Sequence, residues 1–158
     1  MNESYLIQKN FYLSFLIGKE TYAIDISNVL EVIEIEKITK VPNAPENIDG
    51  VINFRGNIIP VYDLGYRLNN IDHQKNALDV LIILQIPYNK NIIKIAIISE
   101  KVYEVFGAFE KDIKPITDLS GRYDTSLLAG KVKYHNDFIL LIDIEQIVVS
   151  PQVVQKPG

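Results

Sequence analysis

Phe11, Leu13, Phe15 and Ile17 alternate with Tyr12, Ser14 and Leu16, and after Gly18-Lys19-Glu20 the alternation resumes at Tyr22, Ile24 and Ile26. Successive side chains of a strand face opposite ways, so every second residue lines one face and residues 11–26 read as a β-hairpin. Asn28 followed by Glu31 has the spacing of a capping box, and with Val29, Val32 and Ile33 it predicts a short helical turn. Ile38–Val41 reads as extended, because a residue before proline is pushed out of the helical region. Pro42-Asn43-Ala44-Pro45 predicts a loop, and Val51–Phe54 and Ile58–Tyr62 predict strands about a turn at Arg55-Gly56-Asn57. Pro60 has no N–H to give to a ladder, which assigns its part of the strand to an edge or a bulge. Asp63 is placed to cap a helical turn after it.

The polar run Asn69–Ala77 has no apolar period and marks a boundary, after which the plan repeats. Residues 78–86 and 92–99 flank Pro87–Asn91 as a hairpin, and Val102 and Val105 fall on a helical turn. Residues 130–134 and 138–142 flank Asn136-Asp137, and Asp143 caps a last turn from Ile144 to Val149. The tail 151–158 is expected to fray. The repetition extends to single residues. Gly50-Val-Ile-Asn-Phe-Arg-Gly-Asn-Ile-Ile-Pro-Val-Tyr-Asp63 aligns without a gap on residues 130–143, an offset of 80. Ala23, Ile24, Val29, Glu31 and Val32 recur as Ala96, Ile97, Val102, Glu104 and Val105, an offset of 73. Short strands at this spacing predict an all-β barrel or sandwich in which one module is used twice, and the seam between the copies is a candidate binding place.

Composition narrows the function. The chain of 158 residues is 47% hydrophobic, enough for a core, and reads as one domain over 1–158 with lobes near 11–68 and 78–149; strand exchange between them is left open. Without cysteine there is neither a disulfide framework nor a thiolate zinc site. A net charge of −4 with scattered basic residues argues against a nucleic-acid partner. No apolar run approaches the roughly 20 residues of a membrane span, and the start lacks the pattern of a secretory signal, so a cytoplasmic protein with no direct membrane insertion is expected. His73 and His135 stand apart and make no metal site. No phosphate-cradling glycine loop and no nucleophile elbow occur, and capping accounts for Asp63 and Asp143, so a non-enzymatic protein without cofactor or metal is expected. Arg55 reads either as a solvated turn residue or as a guanidinium fork reaching a carboxylate across the seam or on a partner. The paired valines 29 and 32, and 102 and 105, read either as packing or as one valine of each pair lining a groove between lobes. Leu119 is a lone apolar residue in a polar loop.

Gly50-Val-Ile-Asn-Phe-Arg-Gly-Asn-Ile-Ile-Pro-Val-Tyr-Asp-Leu64 resembles the core pattern of the CheW family of chemotaxis coupling proteins, Gly-Val-x-Asn-Leu-Arg-Gly-x-Ile-x-Pro-Val-x-Asp-Leu. The likeness runs from about Phe11 to Val149 and takes in Tyr22–Ile26, Ile38–Pro45, Leu127–Lys131 and Ile139–Glu145. It implies two five-stranded β-barrel lobes sharing a hydrophobic interface. It also implies an adaptor, monomeric alone and in rings or arrays with partners, that joins the cytoplasmic tip of chemoreceptors to the regulatory domain of the histidine kinase CheA at the membrane. By position, Ile26, Val29, Glu31, Arg55, Val102 and Val105 match the family's receptor-binding residues, while Ile38, Val41 and Leu119 match its kinase-facing ones. Phe54 stands where leucine is usual, Gly65-Tyr66 where a basic pair is common, and Leu119 where an aromatic is often found. An adaptor of pilus motility, or a small β-barrel binding a ligand or single-stranded nucleic acid, are the competing readings.

Overall fold

The computed structural model describes residues 8–45, 47–65, 67–68, 76–117 and 125–148. These hold the strands β1 (Lys9–Ile17), β2 (Glu20–Asp25), β3 (Val29–Glu34), β4 (Ile48–Phe54), β5 (Asn57–Tyr62), β6 (Val80–Tyr88), β7 (Asn91–Ser99), β8 (Lys101–Phe109), β9 (Leu128–Tyr134) and β10 (Asp137–Ile142). Two five-stranded sheets result, ordered β8-β1-β2-β10-β9 and β3-β6-β7-β5-β4. The opening hairpin β1–β2 therefore lies in the sheet of the closing strands, and β6–β7 lies in the sheet of β3–β5. The sequence repeat is also a repeat of register. Leu141 pairs Ala23 in parallel in the first sheet, and Val61 pairs Ala96 in the second. Leu13 faces Val105 across β1 and β8 just as Ile82 faces Val32 across β6 and β3.

The expected closed barrels are open, curled sheets. Past β3 the chain crosses to the other edge and makes one isolated bridge, Thr39 to Val51; past β8 it does the same from Lys114 to Lys131. Those crossings explain the repeated glycine. A Cβ on Gly50 would collide with the Thr39 carbonyl, and one on Gly130 would stand 2.6 Å from Ile113 Cγ2 and 3.0 Å from the Lys114 carbonyl. Gly50→Ala should lower stability by about 1–3 kcal/mol in denaturant titration, and Gly130→Ala by less, because a side chain yields where a backbone carbonyl does not.

Three expectations are corrected. Residues 29–33 and 102–105 are strand, not helical turn; a turn of 3₁₀ helix instead precedes β3 at Ile26–Asn28, capped by Asp25 rather than Asn28. Val-Leu-Glu-Val-Ile-Glu alternates in burial residue by residue, and the β-branched side chains fit a pleated surface better than a helix. The second hairpin turn lies one residue earlier than the expected Asn136-Asp137: positive φ falls at His135-Asn136, the equivalent of Arg55-Gly56 in the first copy. Pro60 lies on an interior strand, but the β7 ladder begins only at Val61, so its missing N–H costs no bond there. The aspartate caps are as expected. Asp63 accepts from the Gly65 N–H at 3.0 Å and Asp143 from the Glu145 N–H at 3.1 Å.

The core has three parts. Each curled sheet encloses a small cluster, Ile52, Phe54, Leu81, Ile83 and neighbours in one and Tyr12, Phe106, Val132, Leu141 and neighbours in the other. The largest cluster draws on both sheets, with Phe15 and Tyr22 from the first, Ile82 and Ile97 from the second, and Leu64 and Ile147 from the turns after β5 and β10. Residues 81–84 are all buried because alternate side chains feed different clusters, Leu81 and Ile83 within the sheet and Ile82 and Leu84 at the shared interface. A strand buried on both faces loses polar alternation, so its hydrophobic run is continuous. Among the described residues no helix is long and apolar enough to cross a membrane.

Candidate partner-docking surface

β3 and β8 are edge strands, one in each sheet, and they occupy equivalent places in the repeat. Both are irregular at the same point. The β3–β6 register shifts between Val29 and Glu31, and the β1–β8 register shifts between Leu13 and Phe15. At the second shift the Ser14 hydroxyl stands in for a ladder partner, donating to the Glu104 carbonyl at 3.0 Å and accepting from its N–H at 3.3 Å. Bulges on an edge re-aim side chains and stop further pairing. Here they turn Leu30 and Val32 outward on β3, and Tyr103 and Val105 on β8, all between 39% and 49% exposed. Four sizeable apolar side chains thus stand on the two edges outside the three core clusters, which makes these edges the candidate docking surface.

Beside each apolar row stands a glutamate. Arg55, at the β4–β5 turn, donates to Glu31 at 2.8 Å and stacks its guanidinium 5.0 Å from the Phe54 ring. In the other sheet Glu104 accepts at 2.9 Å from the Tyr134 hydroxyl, and His135 packs edge-on against that ring at 4.2 Å. Both glutamates thus tie an edge strand to the hairpin at the opposite edge of its own sheet, one by charge and one by a neutral donor. Arg55 reaches a carboxylate within its own sheet, and with its side chain 72% exposed the pair contributes little to stability.

The Tyr134 hydrogen bond to Glu104 raises the phenol's pKa above the ordinary 10.0, with smaller contributions from burial and the glutamate's charge. The folded chain holds the neutral phenol better than the unfolded one does. This contribution is therefore complete below the unfolded pKa and is lost as pH rises through the raised one. Phenolate absorbance should show Tyr134 titrating above pH 10.0 in the native chain and moving back toward it in Glu104→Gln.

The remaining candidate positions divide by burial. Ile26, Val29 and Val102 are partly buried and pack against the shared core, so their substitution tests the fold as much as any partner. Ile38 packs against the interior of the second sheet, while Val41 is exposed after the crossing segment. Leu119 lies outside the described residues. Leu30 and Tyr103 were missed in the sequence. They stand 73 residues apart like the valines beside them, so the repeat carried a signal, but the helical assignment put them on another face.

Arg67 was also missed. It is 6% exposed and donates from Nη1 to the carbonyls of Gln146 at 2.6 Å and Ile147 at 3.2 Å. Ile147 is its own counterpart in the repeat, 80 residues on, so the guanidinium joins the two copies where their closing turns meet.

Comparison with known proteins agrees with this architecture. The sequence model of the CheW-like domain matches residues 12–152. The chain belongs to the CheW-like domain family. It is similar to the Chemotaxis protein CheW of Thermotoga maritima, 29% identical over 146 residues that cover 92% of this chain and 91% of that one. It is 28% identical to the Chemotaxis protein CheW of Klebsiella aerogenes over 144 residues, covering 90% and 83% respectively. The crystal structure of the scaffolding protein TtCheW from Thermoanaerobacter tengcongensis superposes with a TM-score of 0.78 at 32% identity, covering 89% of this chain and 88% of that one. The CheW-like core thus extends through both sheets, and the two apolar edges lie within the matched region.

Proposed function

We propose that this CheW-like chain is a non-catalytic chemotaxis scaffold that couples methyl-accepting receptors to a CheA-type histidine kinase in arrays at the membrane. The observation that carries the reading is the pair of equivalent bulged edges, β3 and β8, each presenting two apolar side chains beside a tethered glutamate. A surface of this kind suits the apolar stripe of a receptor helix, since helices dock into grooves through residues three and four apart. Val32 and Val105 give the clearest receptor contacts, with Leu30 and Tyr103 beside them and Glu31–Arg55 at the border. The kinase would be met at a separate place, where Ile38 and Val41 lie on the crossing segment, with Leu119 of the second lobe as a further contact.

The division suits a coupler, because two partners held on distinct surfaces can influence one another only through the body between them. The shared core and Arg67 make that body stiff. The test is co-sedimentation of the chain with receptor-bearing membranes and kinase from the same cell. Recovery of the kinase with the membranes should require this chain; recovery without it would overturn the scaffold reading.

A further inference from the structure

The two copies differ near the ends of β3 and β8. The counterparts of Glu34 and Ile35 in the second copy are Gly107 and Ala108. Ile35 packs against the interior of its sheet, and its N–H donates to the Asp79 carbonyl at 3.1 Å. Gly107 and Ala108 bring no side chain of that size, and a cleft of about 510 Å³ remains between the edge strands β8 and β9. Phe109, Tyr134 and Phe138 form its apolar walls, while Lys9, Lys114 and Lys133 stand around it with Asp112, the one acid among the described lining residues. Lys9 lies across Gly107, so close that a Cβ there would collide with its methylenes, and its ammonium sits 5.6 Å from the Phe109 ring.

Among the described residues, the backbone at this cleft is incompletely paired. Lys131 exchanges two 2.9 Å bonds with Lys114, and beyond that bridge the crossing segment turns away as the 3₁₀ turn Glu110–Asp112. Backbone groups alternate sides along a strand, so the N–H and C=O of Lys133 face the same way as those of Lys131, into the cleft. An open strand edge is a template for another strand.

We propose that this cleft binds an extended acidic segment of a partner chain, added along the Lys133 edge of β9. Its carboxylates would meet Lys9, Lys114 and Lys133, and its alternate apolar side chains would lie on Phe109, Tyr134 and Phe138. Main-chain bonds give such complexes their affinity and the alternating side chains their selectivity. Three lysines, an acid among them and a chain of net charge −4 suit a short acidic peptide better than a phosphate backbone. This inference does not rest on the receptor and kinase contacts, and its test uses neither partner.

The isotope-labelled full chain is titrated with the blocked peptide acetyl-Glu-Val-Glu-Val-Glu-amide, with its lysine-for-glutamate analogue and with a short oligo-dT strand. The acidic peptide should shift the amide signals of Gly107, Phe109, Lys133 and Tyr134 saturably, with Kd below about a millimolar, and should slow hydrogen exchange at Lys133. The lysine analogue should leave them unmoved. Lys133→Glu and Gly107→Glu, the latter restoring the first copy's residue, should each weaken binding at least about tenfold with unchanged melting. If Gly107→Glu unfolds, Lys133→Glu decides. Absence of those shifts, equal shifts with the lysine analogue, tighter binding of oligo-dT, or the same shifts on concentrating the chain alone would each overturn the proposal, the last by making a second copy the occupant.

Discussion

Val32→Asp and Val105→Asp should each weaken binding to a receptor tip by at least about tenfold, and together by about a hundredfold, without a change in melting. Each valine sits on the outward face of a bulged edge strand, so a carboxylate there is solvated in the free protein and costs the fold little. In a complex the same carboxylate would be buried against apolar helix residues with nothing to pair with, and that penalty falls on binding alone. Affinity for the kinase should stay within about twofold, because Ile38 and Val41 lie on a different segment. Receptor titration, kinase titration and thermal melting of each variant check the three parts. Wild-type receptor affinity in the double variant would move the docking surface elsewhere.

Arg67→Ala should destabilise the chain by about 2–4 kcal/mol, the largest loss expected of any single charged residue described here. Truncation leaves two carbonyls, those of Gln146 and Ile147, without the donor that now serves them, and each buried acceptor left unmade costs about 1–3 kcal/mol. For a domain of this size the melting temperature should fall by roughly 5–15 °C. Arg67→Lys, which keeps the charge but not the planar fork, should lie between. Arg55→Ala should cost less than about 1 kcal/mol, since that ion pair is exposed. Equal losses in the two alanine variants would remove the role assigned to Arg67 in joining the copies.

The strands were legible because half-buried strands write their period into the sequence, and the duplicated glycine, turn and aspartate fixed the matching of the copies before any contact was known. Gly50 and Gly130 stood out as repeated, yet their reason needed the crossings at Thr39 and Lys114, which pair residues far apart in the chain. The edges were misread as helical turns. Val29, Val32 and Ile33 suit either period over so short a span, and Asn28–Glu31 supplied a capping pattern that Asp25 in fact fulfils. That error hid which valine of each pair faces outward: Val32 and Val105 are exposed, Val29 and Val102 half-buried. A carboxylate at Val29 or Val102 is now expected to harm stability, as both pack on the shared core. Arg67 was invisible for a different reason. Nothing local distinguishes a buried arginine from a solvated one, and its partners lie 79 and 80 residues away.

The central claim is coupling, and the most direct measurement is kinase autophosphorylation with receptor-bearing membranes, in the presence and absence of this chain. The account predicts that the rate comes under receptor control only when all three are present, that attractant then changes it, and that the Val32→Asp, Val105→Asp double variant removes the control while still binding kinase. A rate that follows attractant equally well without this chain would contradict it.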